Sequence, residues 1–170
     1  VGVGVVDTLL EKADLIAERT GVRPVIRGIA DLDVTTDRGI AIGPDLLTTD
    51  ANAVIDNPAI DVIVELIGGV TVAKQFILRA LEQGKAVVTA NKALLAEDGH
   101  DLFQAAARTG ADLYYEASVA GGIPVIKALR EGLVANHVQS IYGILNGTCN
   151  YILTRMEKEG LPFDQVLTEA

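Results

Sequence analysis

Two stretches of β-branched and small apolar residues, DVIVELIGG (61–69) and KAVVTA (85–90), flank a segment of helical period, TVAKQFILRALEQG (71–84). A run apolar on successive residues suits a strand covered on both faces, the usual situation of a parallel strand sandwiched between helices. Parallel neighbours need a crossover, and the intervening segment supplies one. It shows a stripe at Phe76, Ile77, Ala80 and Leu81, with Thr71 as the expected cap and Gly84 as the stop.

The same alternation extends in both directions. Val6, Leu9, Leu10, Ala13 and Ala17 predict one amphipathic helix over 2–19, stopped by Gly21, and VRPVIRGIA (22–30) follows as a strand. Beyond KAVVTA come a helix over EDGHDLFQAAARTG (97–110) and a strand over DLYYEASV (112–119). Helix and strand repeated in this order predict right-handed crossovers and an α/β fold, a doubly wound (Rossmann-like) parallel sheet with helices on both faces.

A boundary is expected near Gly121, giving a dinucleotide-binding domain over 1–120 and a second unit over 121–170. The second unit shows a helix bearing Ile126, Leu129 and Leu133, a strand over HVQSIYGILNG (137–147), a helix over TCNYILTRMEKEG (148–160) and the opening of another. About 50 residues bury little core, so this part is expected to be the beginning of an α+β substrate domain. VGVGVV resembles the end of a glycine-rich strand-to-helix turn, and the expectation is a chain truncated at both ends, with the first strand missing.

Charge and cysteine usage exclude several classes. The formal net charge is −9 and the pI about 4.6, with no basic stripe to neutralise a phosphate backbone, so nucleic acid is not an expected partner. Cys149 is the single cysteine, which rules out an internal disulfide and a C-x-x-C metal site and favours a reducing, cytoplasmic compartment. No apolar run reaches the roughly 20 residues of a membrane span.

In open α/β sheets, ligands bind outside the carboxyl ends of the strands. Gly68 and Gly69 end one strand there, and Thr89, Asn91 and Lys92 end the next. A lysine so placed can orient a nicotinamide or polarise an aldehyde oxygen as negative charge builds on it. Asp31 or Asp33 can accept from an adenosine ribose or simply cap a loop, and ADLDVTTDR offers Arg38 beside them. Asn146, Gly147 and Thr148 form a polar turn before a helix, with Thr148 as the expected cap. A lone cysteine such as Cys149 is usually a small buried apolar residue. His100 and His137 have no partner at ligand spacing.

VGVGVVDTLLEK, VIVELIGG, VVTANKALLA, YYEASVAGGIPVI and YGILNGTCNYIL, in this order, resemble the homoserine dehydrogenase family over nearly the whole chain. The resemblance implies reduction of L-aspartate 4-semialdehyde to L-homoserine with NADH or NADPH, on the route to threonine, isoleucine and methionine. It assigns cofactor binding to Gly2, Gly68, Gly69, Thr89 and Lys92, with Gly2 as the last glycine of the G-x-G-x-x-G turn. Lys92 lies near both cofactor and substrate, while the proton-donor lysine belongs to a later segment that this chain does not contain. Asn146, Gly147 and Thr148 fall at the substrate pocket. A structural sodium ion is implied at Glu116 and the main-chain oxygens of Val119, Gly121 and Ile123, an all-oxygen set suited to a hard cation. Hydride transfer is expected in a cleft between the two units, in a protein that is a homo-oligomer at full length, and the 170 residues alone are expected to turn over little. Two competing readings are a thiol-dependent semialdehyde dehydrogenase using Cys149 and a non-catalytic dinucleotide-binding module.

Overall fold

The computed structural model describes the backbone of all 170 residues and every side chain except that of Pro44. The chain divides into two compact units, Val1–Lys127 and Ala128–Ala170.

The first unit is α/β. Its helices are α1 (Gly2–Glu11), α2 (Ala13–Thr20), α3 (Ala51–Ile55), α4 (Thr71–Glu82), α5 (Lys92–Thr109) and α6 (Val125–Lys127). Its strands are β1 (Ile29–Ala30), β2 (Leu47–Thr48), β3 (Val62–Glu65), β4 (Ala86–Thr89) and β5 (Leu113–Tyr114). All pairings are parallel, in a two-stranded sheet β1-β2 and a three-stranded sheet β3-β4-β5. The doubly wound pattern is thus present as two sheets rather than one.

Register decides what is buried. Ile63 lies opposite Val87, and Val87 opposite Leu113, on the face where Ala73, Ile77, Ala80 and Leu81 of α4 and Leu94, Leu102 and Ala105 of α5 complete one core. Val64, Val88 and Tyr114 form the opposite row. Val62 and Val64 are 50% and 41% exposed, so β3 is covered on one face and not on both, as its unbroken apolar run had suggested.

Several elements are shorter than their sequence patterns. The helix expected over 2–19 is broken at Lys12, whose φ of −106° and ψ of 10° leave the helical region, and nothing in the sequence explains the break. The strand expected over 22–30 is reduced to Ile29–Ala30 because β2 offers it two partners, Leu47 and Thr48. The strand expected over 112–119 stops at Tyr114 and turns into a 3-10 helix, Glu116–Ser118, where the Ser118 hydroxyl donates to the Thr89 carbonyl (2.9 Å). Val70, with no side-chain bond, precedes α4, so Thr71 is its first residue rather than its cap.

In the second unit a π turn (Ala128–Gly132) is followed by irregular chain, then α7 (Gly147–Glu159) and α8 (Phe163–Glu169). The helix expected around Ile126, Leu129 and Leu133 is therefore limited to α6 and this turn. The strand expected over 137–147 does not form, because a strand needs a ladder and none is within reach among the described residues. Ile152 and Val166 are buried where α7 meets α8, and Arg155 pairs with Glu159 (2.5 Å) and Glu169 (3.1 Å).

Candidate functional site

The carboxyl ends of β3 and β4 are tied together by side chains. Glu65, 4% exposed, faces Thr89 across the ladder and accepts its hydroxyl proton at 2.6 Å. The other carboxylate oxygen accepts the amides of Ile67 (2.9 Å) and Gly68 (3.3 Å). One buried carboxylate therefore fixes both the turn after β3 and the end of β4. Gly68 and Gly69 have φ of +73° and +71°, a region that disfavours any Cβ, and the space around them is open.

Asn91 continues the chain of contacts. Its amide N–H donates to the Thr89 hydroxyl (3.0 Å), its side-chain NH₂ to the Gly69 carbonyl (2.6 Å), and its Oδ1 accepts the Leu94 amide (3.1 Å). Asn91 is thus the N-cap of α5 and a bolt between that helix and the glycine turn. Lys92, the next residue, is exposed, and its ammonium has no partner among the described residues. A cation in the first turn of an 18-residue helix opposes the helix dipole, so packing and helix stability do not account for it.

The remaining expected site residues are placed as follows. Thr89 is fully buried and its hydroxyl is committed to Glu65, so it shapes the edge from within and offers no side-chain atom to a ligand. Gly2 opens α1, which has no side-chain cap and no acidic residue in its first turn; a Cβ there would meet no atom within 4 Å. No contact among the described residues requires glycine at that position. Asn146, not Thr148, caps α7: Asn146 is extended, and its Oδ1 accepts the Cys149 amide at 2.8 Å. Cys149 is exposed rather than buried, with no hydrogen bond to its thiol among the described residues.

Glu116 accepts the amides of Ile126 (2.9 Å) and Lys127 (2.8 Å), one on each oxygen. Between them the chain is irregular, with φ of +48° at Ala120 and +83° at Gly122. No group of three or more His, Cys, Asp or Glu side chains that could hold a metal occurs among the described residues. Any cation here would rely on main-chain oxygens, and each Glu116 oxygen keeps a second lone pair for one. No helix among the described residues is long and apolar enough to cross a membrane.

Glu65 and the capping role of Asn91 were not anticipated from sequence. The one signal for Glu65 is a carboxylate inside an otherwise apolar strand, which demands a partner if buried.

Comparison with known proteins identifies the family. The family model described as "Homoserine dehydrogenase, NAD binding domain" matches residues 1–116, and the one described as "Homoserine dehydrogenase" matches 124–170. A homoserine dehydrogenase of Pseudomonas aeruginosa is 47% identical over all of this chain and 39% of its own length. The crystal structure of a homoserine dehydrogenase from Thiobacillus denitrificans superposes with a TM-score of 0.83 at 45% identity, over 100% of this chain and 39% of that one. A hyperthermophilic archaeal homoserine dehydrogenase in complex with NADPH has a TM-score of 0.61 at 25% identity, covering 95% of this chain and 45% of that one. The chain thus spans about two fifths of the length of the relatives it matches.

Proposed function

The chain belongs to the homoserine dehydrogenase family, and from that premise we propose that it forms the cofactor-binding part, with the start of the substrate-binding part, of an NAD(P)-dependent enzyme interconverting L-aspartate 4-semialdehyde and L-homoserine. The observation that carries the proposal is the hydrogen-bonded edge Glu65–Thr89–Asn91–Gly69, which ends in Lys92, without a partner among the described residues, beside an open glycine turn.

A nicotinamide cofactor, when bound, supplies the hydride that reduces the aldehyde carbon. The backbone of Gly68 and Gly69 and the start of α1 at Gly2 give close approach to such a ligand, since none of the three carries a Cβ. Glu65 and Thr89 hold that edge rigid from inside. Lys92 steadies the nicotinamide side or the aldehyde oxygen, where its charge opposes the negative charge that develops there. Asn146, Gly147 and Thr148 contribute the substrate turn, with Asn146 fixing its shape as the α7 cap. Glu116 and the carbonyls of Val119, Gly121 and Ile123 would hold a sodium ion; the positive φ at Ala120 and Gly122 supports carbonyls turned out of a regular ladder.

The domain division 1–120 and 121–170, a cytoplasmic location and a homo-oligomeric assembly are part of the same reading. The test is oxidation of NADPH and NADH with L-aspartate 4-semialdehyde, using the complete open reading frame that carries this chain. Turnover that survives Cys149→Ser and falls at least about tenfold in Lys92→Ala is expected, a loss in the range of positioning and charge-stabilising groups. Cofactor binding without turnover would overturn the reductase assignment.

A further inference from the structure

Asn91 makes two contacts with one side chain, and helix formation needs only one of them. The residue is 9% exposed, so it offers little surface to a ligand and acts through what it holds. Its Oδ1 accepts the Leu94 amide (3.1 Å) and caps α5, while its NH₂ donates to the Gly69 carbonyl (2.6 Å), 22 residues earlier in the chain. These partners fix which end of the carboxamide is which, since an amide N–H needs the oxygen and a carbonyl needs the nitrogen. Capping uses the oxygen alone, and serine or aspartate would serve it as well. The NH₂ is therefore surplus to the helix, and what it holds is the exit of the glycine turn.

That exit has little else to define it. Gly68 and Gly69 both have positive φ, and a Cβ on either would meet no atom within 4 Å, so side-chain packing does not constrain them. Two successive glycines leave a backbone with wide conformational freedom. Glu65 pins the entry through the amides of Ile67 (2.9 Å) and Gly68 (3.3 Å). At Gly69 the Asn91 bond is the one side-chain hydrogen bond among the described residues. Because a peptide unit is planar, holding the Gly69 carbonyl also sets the direction of the Val70 amide. On its other side Asn91 precedes Lys92 directly, and its own amide is held by the Thr89 hydroxyl (3.0 Å), which is bound in turn to Glu65 (2.6 Å). The turn and the lysine belong to different elements, and the closed ring Glu65–Thr89–Asn91–Gly69 relates one to the other.

We infer that Asn91 is a positioning residue for the reaction: its bond to Gly69 sets the spacing between the glycine turn that receives the dinucleotide and the Lys92 ammonium that acts at its reacting end. The inference rests on the reductase reading above and deepens it.

The experiment pairs thermal melts with steady-state kinetics, using NADH and NADPH with L-aspartate 4-semialdehyde, on the protein expressed from its complete reading frame and on Asn91→Ser, Asn91→Asp and Asn91→Ala. Serine and aspartate keep a capping oxygen and lose the donor: serine is too short to reach Gly69, and aspartate turns an oxygen toward its carbonyl. Both should melt above Asn91→Ala and near the unaltered protein, yet both should lower kcat/KM for the dinucleotide at least about tenfold. In a Lys92→Ala background Asn91→Ser should lower it little further, because the spacing it disturbs has lost one of its two ends. A residue that only caps the helix gives the reverse, a lower Tm in Asn91→Ala with the kinetics of the serine and aspartate variants unchanged. That result, a loss confined to Asn91→Asp, or additive losses in the double variant would overturn the inference while leaving the reductase reading intact. Absence of turnover by the unaltered protein with either dinucleotide would overturn both.

Discussion

Glu65 and Lys92 are the two residues whose placement contradicts local preference, and each has a different consequence. A buried carboxylate is costly unless its oxygens are satisfied, and Glu65 has the Thr89 hydroxyl and two backbone amides to do so. Glu65→Ala should therefore destabilise the fold by about 1–3 kcal/mol, because the buried Thr89 hydroxyl loses its acceptor and the Ile67 and Gly68 amides lose the group that fixes their turn; a shift of the urea midpoint at constant slope checks it. Glu65→Gln keeps one acceptor and should recover part of the loss. Lys92 is the reverse case. Its charge sits at the positive end of α5, so Lys92→Gln should raise stability by about 0.3–1 kcal/mol while lowering turnover of the complete enzyme. A variant that lost both stability and activity would argue that Lys92 belongs to the scaffold.

At the scale of elements, helices could be predicted from the sequence far better than strands. The stripe Phe76, Ile77, Ala80 and Leu81 gives α4 to within a residue or so, and the stops Gly21, Gly84, Gly110 and Gly160 all have φ between +67° and +74°. A helix satisfies its own backbone, so its pattern locates it, although the break at Lys12 and the start of α5 at Lys92, ahead of the expected 97, are not carried by the pattern. A strand depends on a neighbour, which is why 22–30, 112–119 and 137–147 shrink or vanish where no partner lies alongside. The same limit applies to the site. Thr89 and Lys92 follow from the end of an apolar run, whereas the bond from Glu65 to Thr89 spans 24 residues and has no local signature. Burial alternates along β3 although its sequence does not, so Ile63→Ala should cost about 2–4 kcal/mol and Val64→Thr well under 1. Chemical denaturation of the two variants separates the faces. Between α4 and α5, Lys74 bonds Asp101 (2.6 Å) and Asp98 (2.7 Å). The Lys74 bond holds the Asp101 carboxyl below its ordinary value, and the Asp101 bond, ahead of Asp98, raises the Lys74 ammonium. The Asp101 contribution is present above its unfolded pKa of about 3.9 and lost as pH falls through the folded value. The Lys74 contribution is complete below about 10.4 and lost as pH rises through its folded value. The Tm difference between the protein and Asp101→Asn should thus be widest near neutrality and close in acid, and a gap of constant width would rule the pair out as its source.

Over the whole molecule, stability is unevenly distributed. Within residues 1–127 the core is drawn from residues 54–113, with Ile77, Leu81, Val87, Leu94 and Leu102 fully buried. In residues 128–170 burial is limited to Ile152 and Val166, and the chain between the π turn and α7 leaves Tyr142 92% and Leu145 88% exposed. A segment with apolar side chains in water and no ladder opens at little cost, whereas cleavage inside α4 or α5 requires the core to come apart. Chymotrypsin cuts after large apolar residues, so a brief digest should cleave first at Tyr142 or Leu145. The product retaining the first unit should then resist further cutting and melt as the intact chain does, by circular dichroism at the same temperature. First cuts within 71–109, or loss of the melting transition once 142–145 is severed, would mean that the first unit depends on the second for its stability. Survival of the product would locate the folding energy in the sheet β3-β4-β5 with α4 and α5, the elements that carry Glu65, Asn91 and Lys92. Cofactor binding by that product would then measure how much of the proposed site stands on this scaffold alone.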